Sequence, residues 1–157
     1  MRRSRHSDET AADAESERGS AALEFIVGGV ILLVPIVYLI VALGAIQSSA
    51  LGVDAGARHV ARTIASAPDR ATADARADLV LAAVADEYGL DPGRVDVTVT
   101  CRPAGAECPA AGATVVVHLA ASVPLPLVPP ILGLDDMARI PVEAVAVQKV
   151  SRFWGTQ

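Results

Sequence analysis

The chain has 157 residues, of which 52% are apolar and only 3% aromatic, so its core must be built from Ala, Val and Leu. Thirteen Lys and Arg against 18 Asp and Glu leave a net charge of −5. That balance offers no basic stripe to meet phosphates and argues against a nucleic-acid partner. The length suits one membrane segment and one small folded domain.

Residues 1–18 carry charges of both signs, with Arg2, Arg3, Arg5 and Arg18 set against Asp8, Glu9, Asp13, Glu15 and Glu17. Nothing in this stretch can pack a core, and its composition predicts a disordered polar leader. From Phe25 to Ile46 the chain then runs 22 residues without a charge. At about 1.5 Å per residue this gives roughly 33 Å of helix, enough to cross a hydrocarbon core of about 30 Å. The run is too long for the apolar part of a secretory signal, and the only small-x-small sequence after it, Ser48-Ser49-Ala50, is weak. Two readings stand at this point: an uncut signal anchor, or a segment freed by cleavage after Gly19. Four Arg precede the run and only Arg58 and Arg62 follow closely. This places the N-terminus in the cytoplasm and the C-terminal domain outside.

Pro35 predicts a kink near Ile31 and Leu32, because it removes a helix hydrogen bond. Beyond the run, residues 47–66 lack proline, and the break is expected at Ala67-Pro68-Asp69, giving a helix of about 40 residues. Gly44, Ser48, Gly52 and Gly56 recur at every fourth position. That spacing sets them on one helix face where a partner helix can approach closely, or it is chance in a chain rich in Gly and Ala. Gly52 and Gly56 each cost roughly 1 kcal/mol of helix propensity relative to Ala, which favours the packing role.

The segment Arg18-Gly19-Ser20-Ala21-Ala22-Leu23-Glu24-Phe25, followed by the apolar helix, resembles the N-terminus of TadE-like pseudopilins. These are minor pilin-like proteins of tight-adherence (Flp-type) pilus systems. The stretch Asp54-Ala55-Gly56-Ala57-Arg58-His59-Val60-Ala61-Arg62 is similar to the Ala- and Arg-rich sequence that follows the membrane helix in that family. The cysteine-containing hairpin and the closing Val-rich strands also resemble its actinobacterial branch. The likeness spans residues 18–150 and is specific over 18–62.

The resemblance implies that a membrane-bound aspartic prepilin peptidase cuts between Gly19 and Ser20, leaving residues 20–157. Glu24 would then be the fifth mature residue, and its carboxylate would meet the new N-terminal amine of a neighbouring subunit during assembly. A carboxylate near lipid is costly unless paired, so the chemistry suits such a salt pair. The alternative is Glu24 unpartnered in the wet headgroup layer. Major type IV pilins usually begin with Phe or Met after cleavage, whereas this chain would begin with Ser20, as fits the pseudopilin branch. The implied partners are membrane lipid, the prepilin peptidase, other pilin-like subunits and inner-membrane platform proteins.

After the break, Asp69 is placed to cap a second helix over 70–88 that Gly89 closes. Ala77, Val80, Leu81 and Val84 follow helical spacing, while Asp74, Asp78 and Asp86 face elsewhere. The period then changes to two. Val95, Val97 and Val99 alternate with Asp96, Thr98 and Thr100, and Val115, Val117, Leu119, Ala121 and Val123 form a second set. A third strand is expected from Ile140 to about Val150, but Val145 and Val147 break the face set by Ile140 and Val142, which permits a bulge or burial on both sides.

The expected fold class is α+β: a long N-terminal transmembrane helix running into a pilin-like domain, with a second helix as lid over a small, three-stranded, mostly antiparallel sheet. The divisions are a leader at 1–19, a membrane helix with its extension at 20–66, and an extracytoplasmic domain at 67–157.

Cys101 and Cys108 flank the hairpin between the first two strands, where a disulfide is geometrically feasible and, outside the cytoplasm, favoured over free thiols. Two ligands alone do not make a metal site. Val123 to Pro130 holds four prolines, Pro124, Pro126, Pro129 and Pro130, which exclude a helix or central strand although the segment is apolar. It reads as a crossover packed over the sheet, or as an exposed apolar edge that docks a partner or rests on the membrane. The tail Arg152-Phe153-Trp154 reads as an interfacial anchor or a capped strand end. His6, His59 and His118 have no ligand spacing, and neither a nucleophile elbow nor a phosphate loop is present, so no catalytic residue, cofactor or metal is expected. Two functions follow: a minor pilin or pseudopilin of a Tad-type pilus or secretion machine, or an unprocessed, signal-anchored envelope binding protein.

Overall fold

The computed structural model describes residues 5–104, 107–128, 131 and 133–155, with side chains from residue 22 onward except at position 135. The elements run α1 (Arg5–Ser66), α2 (Arg70–Tyr88), a 3-10 turn (Pro92–Arg94), β1 (Val95–Arg102), β2 (Thr114–Pro124), α3 (Leu134–Met137) and β3 (Arg139–Lys149). The chain forms two units, Met1–Val41 and Ala42–Gln157, and α1 contributes to both.

Helix α1 begins at Arg5, which corrects the expectation of a disordered leader; residues 1–4 lie outside the described residues. The reason is local. Residues 5–18 are rich in Ala, Glu and Arg, all good helix formers, and contain neither Gly nor Pro. Poverty of apolar residues excludes a core but not a helix. Pro35 lies inside α1, which continues past it.

The break falls where the sequence places it. Asp69, in extended conformation, accepts a hydrogen bond from the Thr72 backbone N–H at 2.8 Å and one from the Thr72 hydroxyl at 2.9 Å. At the other end Gly89 adopts φ 63°, a left-handed cap that glycine takes without steric cost. The Thr72 backbone and hydroxyl donors hold the Asp69 carboxyl below its ordinary value. A carboxyl lowered by folding adds stability that is complete above about pH 4, the ordinary aspartate value, and is lost as pH falls through the lower folded-state value. Asp69→Asn is therefore expected to flatten the acid limb of the Tm-against-pH curve below about pH 4. Thermal unfolding of both chains across that range checks it.

The sheet is fully antiparallel, with order β1-β2-β3. On its inner face Val115, Val117, Leu119, Ala121 and Val123 of the central strand are buried, as the alternation predicts. The cover differs from expectation. Helix α2 supplies Ala73, Ala77, Val84 and Ala85, but α1 supplies Val53, Ala57, Val60, Ala61, Ile64 and Ala65 to the same core, so both helices form the lid.

Strand β3 pairs with β2 residue for residue from Arg139 to Lys149, without a bulge. Val142 and Ala146 are buried, whereas Val145 and Val147 are exposed on the outer face. Neither the bulge nor the two-sided burial that the broken alternation permits is present in this strand. Groove-lining residues show α1 beside this strand, with Arg58, Ala61 and Arg62 next to Val145–Gln148. A helix that close leaves room for Ala rather than Val on the inner face.

Candidate functional site

Three features inherit the candidate residues: the apolar half of α1, its small-residue stripe and the cysteine hairpin. From residue 22 to residue 41 α1 is apolar apart from Glu24, and its side chains are exposed apart from the half-buried Tyr38, with Phe25 at 82% and Ile31 at 69%. This is one helix long and apolar enough to cross a membrane, and only 6% of its most apolar stretch is buried. Apolar surface on this scale is unfavourable in water and calls for another apolar environment. Glu24 is exposed at the start of the run. Gly19 and Ser20 lie within α1, and the surroundings of both fall outside what the structure describes.

The stripe divides in two. Gly44 and Ser48 are exposed, and a Cβ at Gly44 would meet nothing within 4 Å. Gly52 and Gly56 are buried by the chain itself. A Cβ on Gly52 would lie 2.5 Å from Tyr88 Cγ and 2.7 Å from Tyr88 Cβ. A Cβ on Gly56 would lie 2.9 Å from Leu119 Cδ2 and 3.2 Å from Val84 Cγ1. The close approach predicted from the spacing is present, but its partner is α2 and the sheet of the same chain, not a second helix from elsewhere. Ser49, 7% exposed, is a further small residue turned inward, one position off the stripe.

Cys101 and Cys108 are joined in a disulfide, with Cα atoms 5.5 Å apart, closing the hairpin between β1 and β2. The seven-residue separation makes the closed loop short. Cys101→Ser with Cys108→Ser is expected to lower stability by roughly 2 kcal/mol, the loss for a loop of this size. Thermal unfolding with and without reductant would show the same shift in the native protein and none in the double variant.

The remaining polar groups do not converge. Arg58 pairs with Asp54 at 2.9 Å along α1, and His118 Nε2 lies 3.5 Å from Glu143 on the outer face of the sheet. His59 lines a shallow groove with Asp54, Arg58, Arg62 and Tyr88. Among the described residues, no three His, Cys, Asp or Glu side chains are grouped to hold a metal ion.

Compared with known proteins, this chain significantly matches no family model, no curated protein and no solved structure.

For Trp154 the structure favours one of the two readings left open by the sequence. The side chain packs partly against the core, beside a cleft lined by Ala65, Ser66, Ala67, Pro68 and Arg76. That is some 20 residues, or about 30 Å of helix, beyond Ile46. Trp154 therefore caps the far end of the fold, as in the capped strand end.

Proposed function

We propose that this chain is a membrane-anchored minor pilin or pseudopilin of a Tad-type pilus or secretion machine. The observation that carries this reading is the exposed apolar stretch of α1, joined to a disulfide-bearing domain. Its support in the sequence is the Gly19-Ser20 junction four residues before Glu24, at the lip of that stretch. In this reading the helix holds the subunit in the cytoplasmic membrane, with the N-terminus inside and the domain outside. The prepilin peptidase removes residues 1–19. Other pilin-like subunits and inner-membrane platform proteins then receive the freed helix. The disulfide favours an oxidising compartment for the domain.

Glu24 is the residue that separates assembly from simple anchoring. Buried among subunits, its carboxylate would need a cation, and the amine of a neighbouring Ser20 supplies one. Glu24→Ala is expected to leave processing intact and to cut incorporation into the assembly about tenfold, equivalent to ~1.4 kcal/mol. Co-purification of tagged variant and native subunits from crosslinked membranes measures it. Unchanged incorporation would remove the salt pair from the account.

A further inference from the structure

The segment between β2 and β3 leaves apolar side chains in the open. Leu127 is 81% exposed, Ile131 56%, Leu134 42% and Met137 83%. Leu127 is held at φ 63°, a left-handed conformation that a leucine rarely adopts, and it projects outward there. The neck of the segment is closed by the Leu125 N–H donating to the Ala138 carbonyl at 3.0 Å. Its base is pinned by Asp136, whose carboxylate lies 2.7 Å from Arg94 and 3.5 Å from Arg139. Those ion pairs engage both arginines.

The position of this segment along α1 decides what it meets. Gly56 is level with Leu119. Towards its C-terminus α1 follows β3 forward, since Arg58 and Ala61 flank Val145–Gln148 and Ala65 and Ser66 flank Gln148–Arg152. Because β2 is antiparallel to β3, it runs the other way and carries the chain from Leu119 towards the N-terminal side of α1. Five strand residues from Leu119 to Pro124 cover about 17 Å, equal to about 11 residues of helix. Pro124 is thus level with the turn around Ile46, the last residue of the apolar run. Packing agrees, because Ala42 is 6% exposed and Ile46 rests against the core, so the folded unit reaches down to this turn.

We propose that Leu127, Ile131, Leu134 and Met137 form a lipid-contact surface that rests in the bilayer interface beside the emerging helix. This rests on the reading of α1 as a membrane span. The surface gives the domain a second, peripheral attachment, as an apolar face does for interfacial helices. It also explains why a loop so rich in proline carries leucines rather than polar residues.

The test uses the full chain with Trp154→Phe, reconstituted in phosphatidylcholine vesicles brominated near the top of the acyl chains. Single tryptophans are placed by Leu127→Trp, Met137→Trp, Val147→Trp and Leu33→Trp. An interfacial segment sits roughly 5–10 Å into the headgroup–acyl boundary, so the tryptophans at 127 and 137 are expected to lose about half their emission relative to unbrominated lipid. Val147, exposed on the outer sheet face, should keep its emission. If Leu33→Trp is quenched by lipid brominated deep in the chain while positions 127 and 137 are quenched by bromine at neither depth, the lipid-contact proposal is overturned and the span stands. If position 33 is unquenched at every bromine depth, the span itself fails and the proposal with it. Emission at 127 and 137 that is bromine-insensitive but shifts with protein-to-lipid ratio would assign the surface to a second copy and overturn lipid contact.

Discussion

Leu119→Ala is expected to lower the stability of the folded unit by roughly 2–5 kcal/mol, the range for truncating a fully buried leucine. Leu119 lies on the central strand, is 0% exposed and is the largest of the fully buried side chains. Its neighbours offer little to fill the space. Across the sheet it pairs with Val97 and Ala144, and its Cδ2 faces the bare backbone of Gly56. Helices close to each other and to a sheet cannot readily collapse into the cavity, so the cost should fall in the upper part of that range. Domain stabilities are typically about 5–15 kcal/mol, so this one change removes a large fraction. Denaturant unfolding in mild detergent, followed by Trp154 fluorescence, measures it. Leu79→Ala is the comparison, since Leu79 is 71% exposed on α2 and its loss should stay within about 0.5 kcal/mol.

Gly52→Val is expected to cost roughly 1–3 kcal/mol through overpacking. Glycine is a poor helix former, and in an open helix this substitution would be neutral or slightly favourable. Here the new Cβ would fall 2.7 Å from Tyr88 Cβ, an atom fixed close to the backbone of α2, so relief requires α2 to move. Gly44→Val, where nothing lies within 4 Å, is expected to leave domain unfolding unchanged. The same two unfolding curves decide the matter. Equal behaviour of the two variants would mean that Tyr88 does not hold α2 against α1.

Much of this architecture is legible in the residues. Asp69 and Gly89 punctuate α2 because each supplies a terminal group that a helix cannot satisfy from within. Alternation in β1 and β2 gives the inner face because a strand's period of two leaves no freedom once one face is buried. The apolar run gives a candidate span by length alone.

What escaped the reading has physical causes. Val145 and Val147 are more apolar than Ala144 and Ala146, so hydrophobicity alone would turn the valines inward. The closeness of α1 reverses that choice, and it is a tertiary fact. Gly52 and Gly56 announce a close approach but not by whom, and the approach is intramolecular. Residues 5–18 carry no apolar side chain larger than Ala, which speaks against packing and says nothing against a helix. The exposed leucines of the β2–β3 segment left two readings open, and the register of β2 against α1 is what sets their level.

Intact-mass measurement of the protein extracted from its native membrane tests the central claim most directly. The account predicts a chain that begins at Ser20, lighter by the mass of residues 1–19, with one disulfide intact. A full-length chain recovered from cells with an active prepilin peptidase would contradict it.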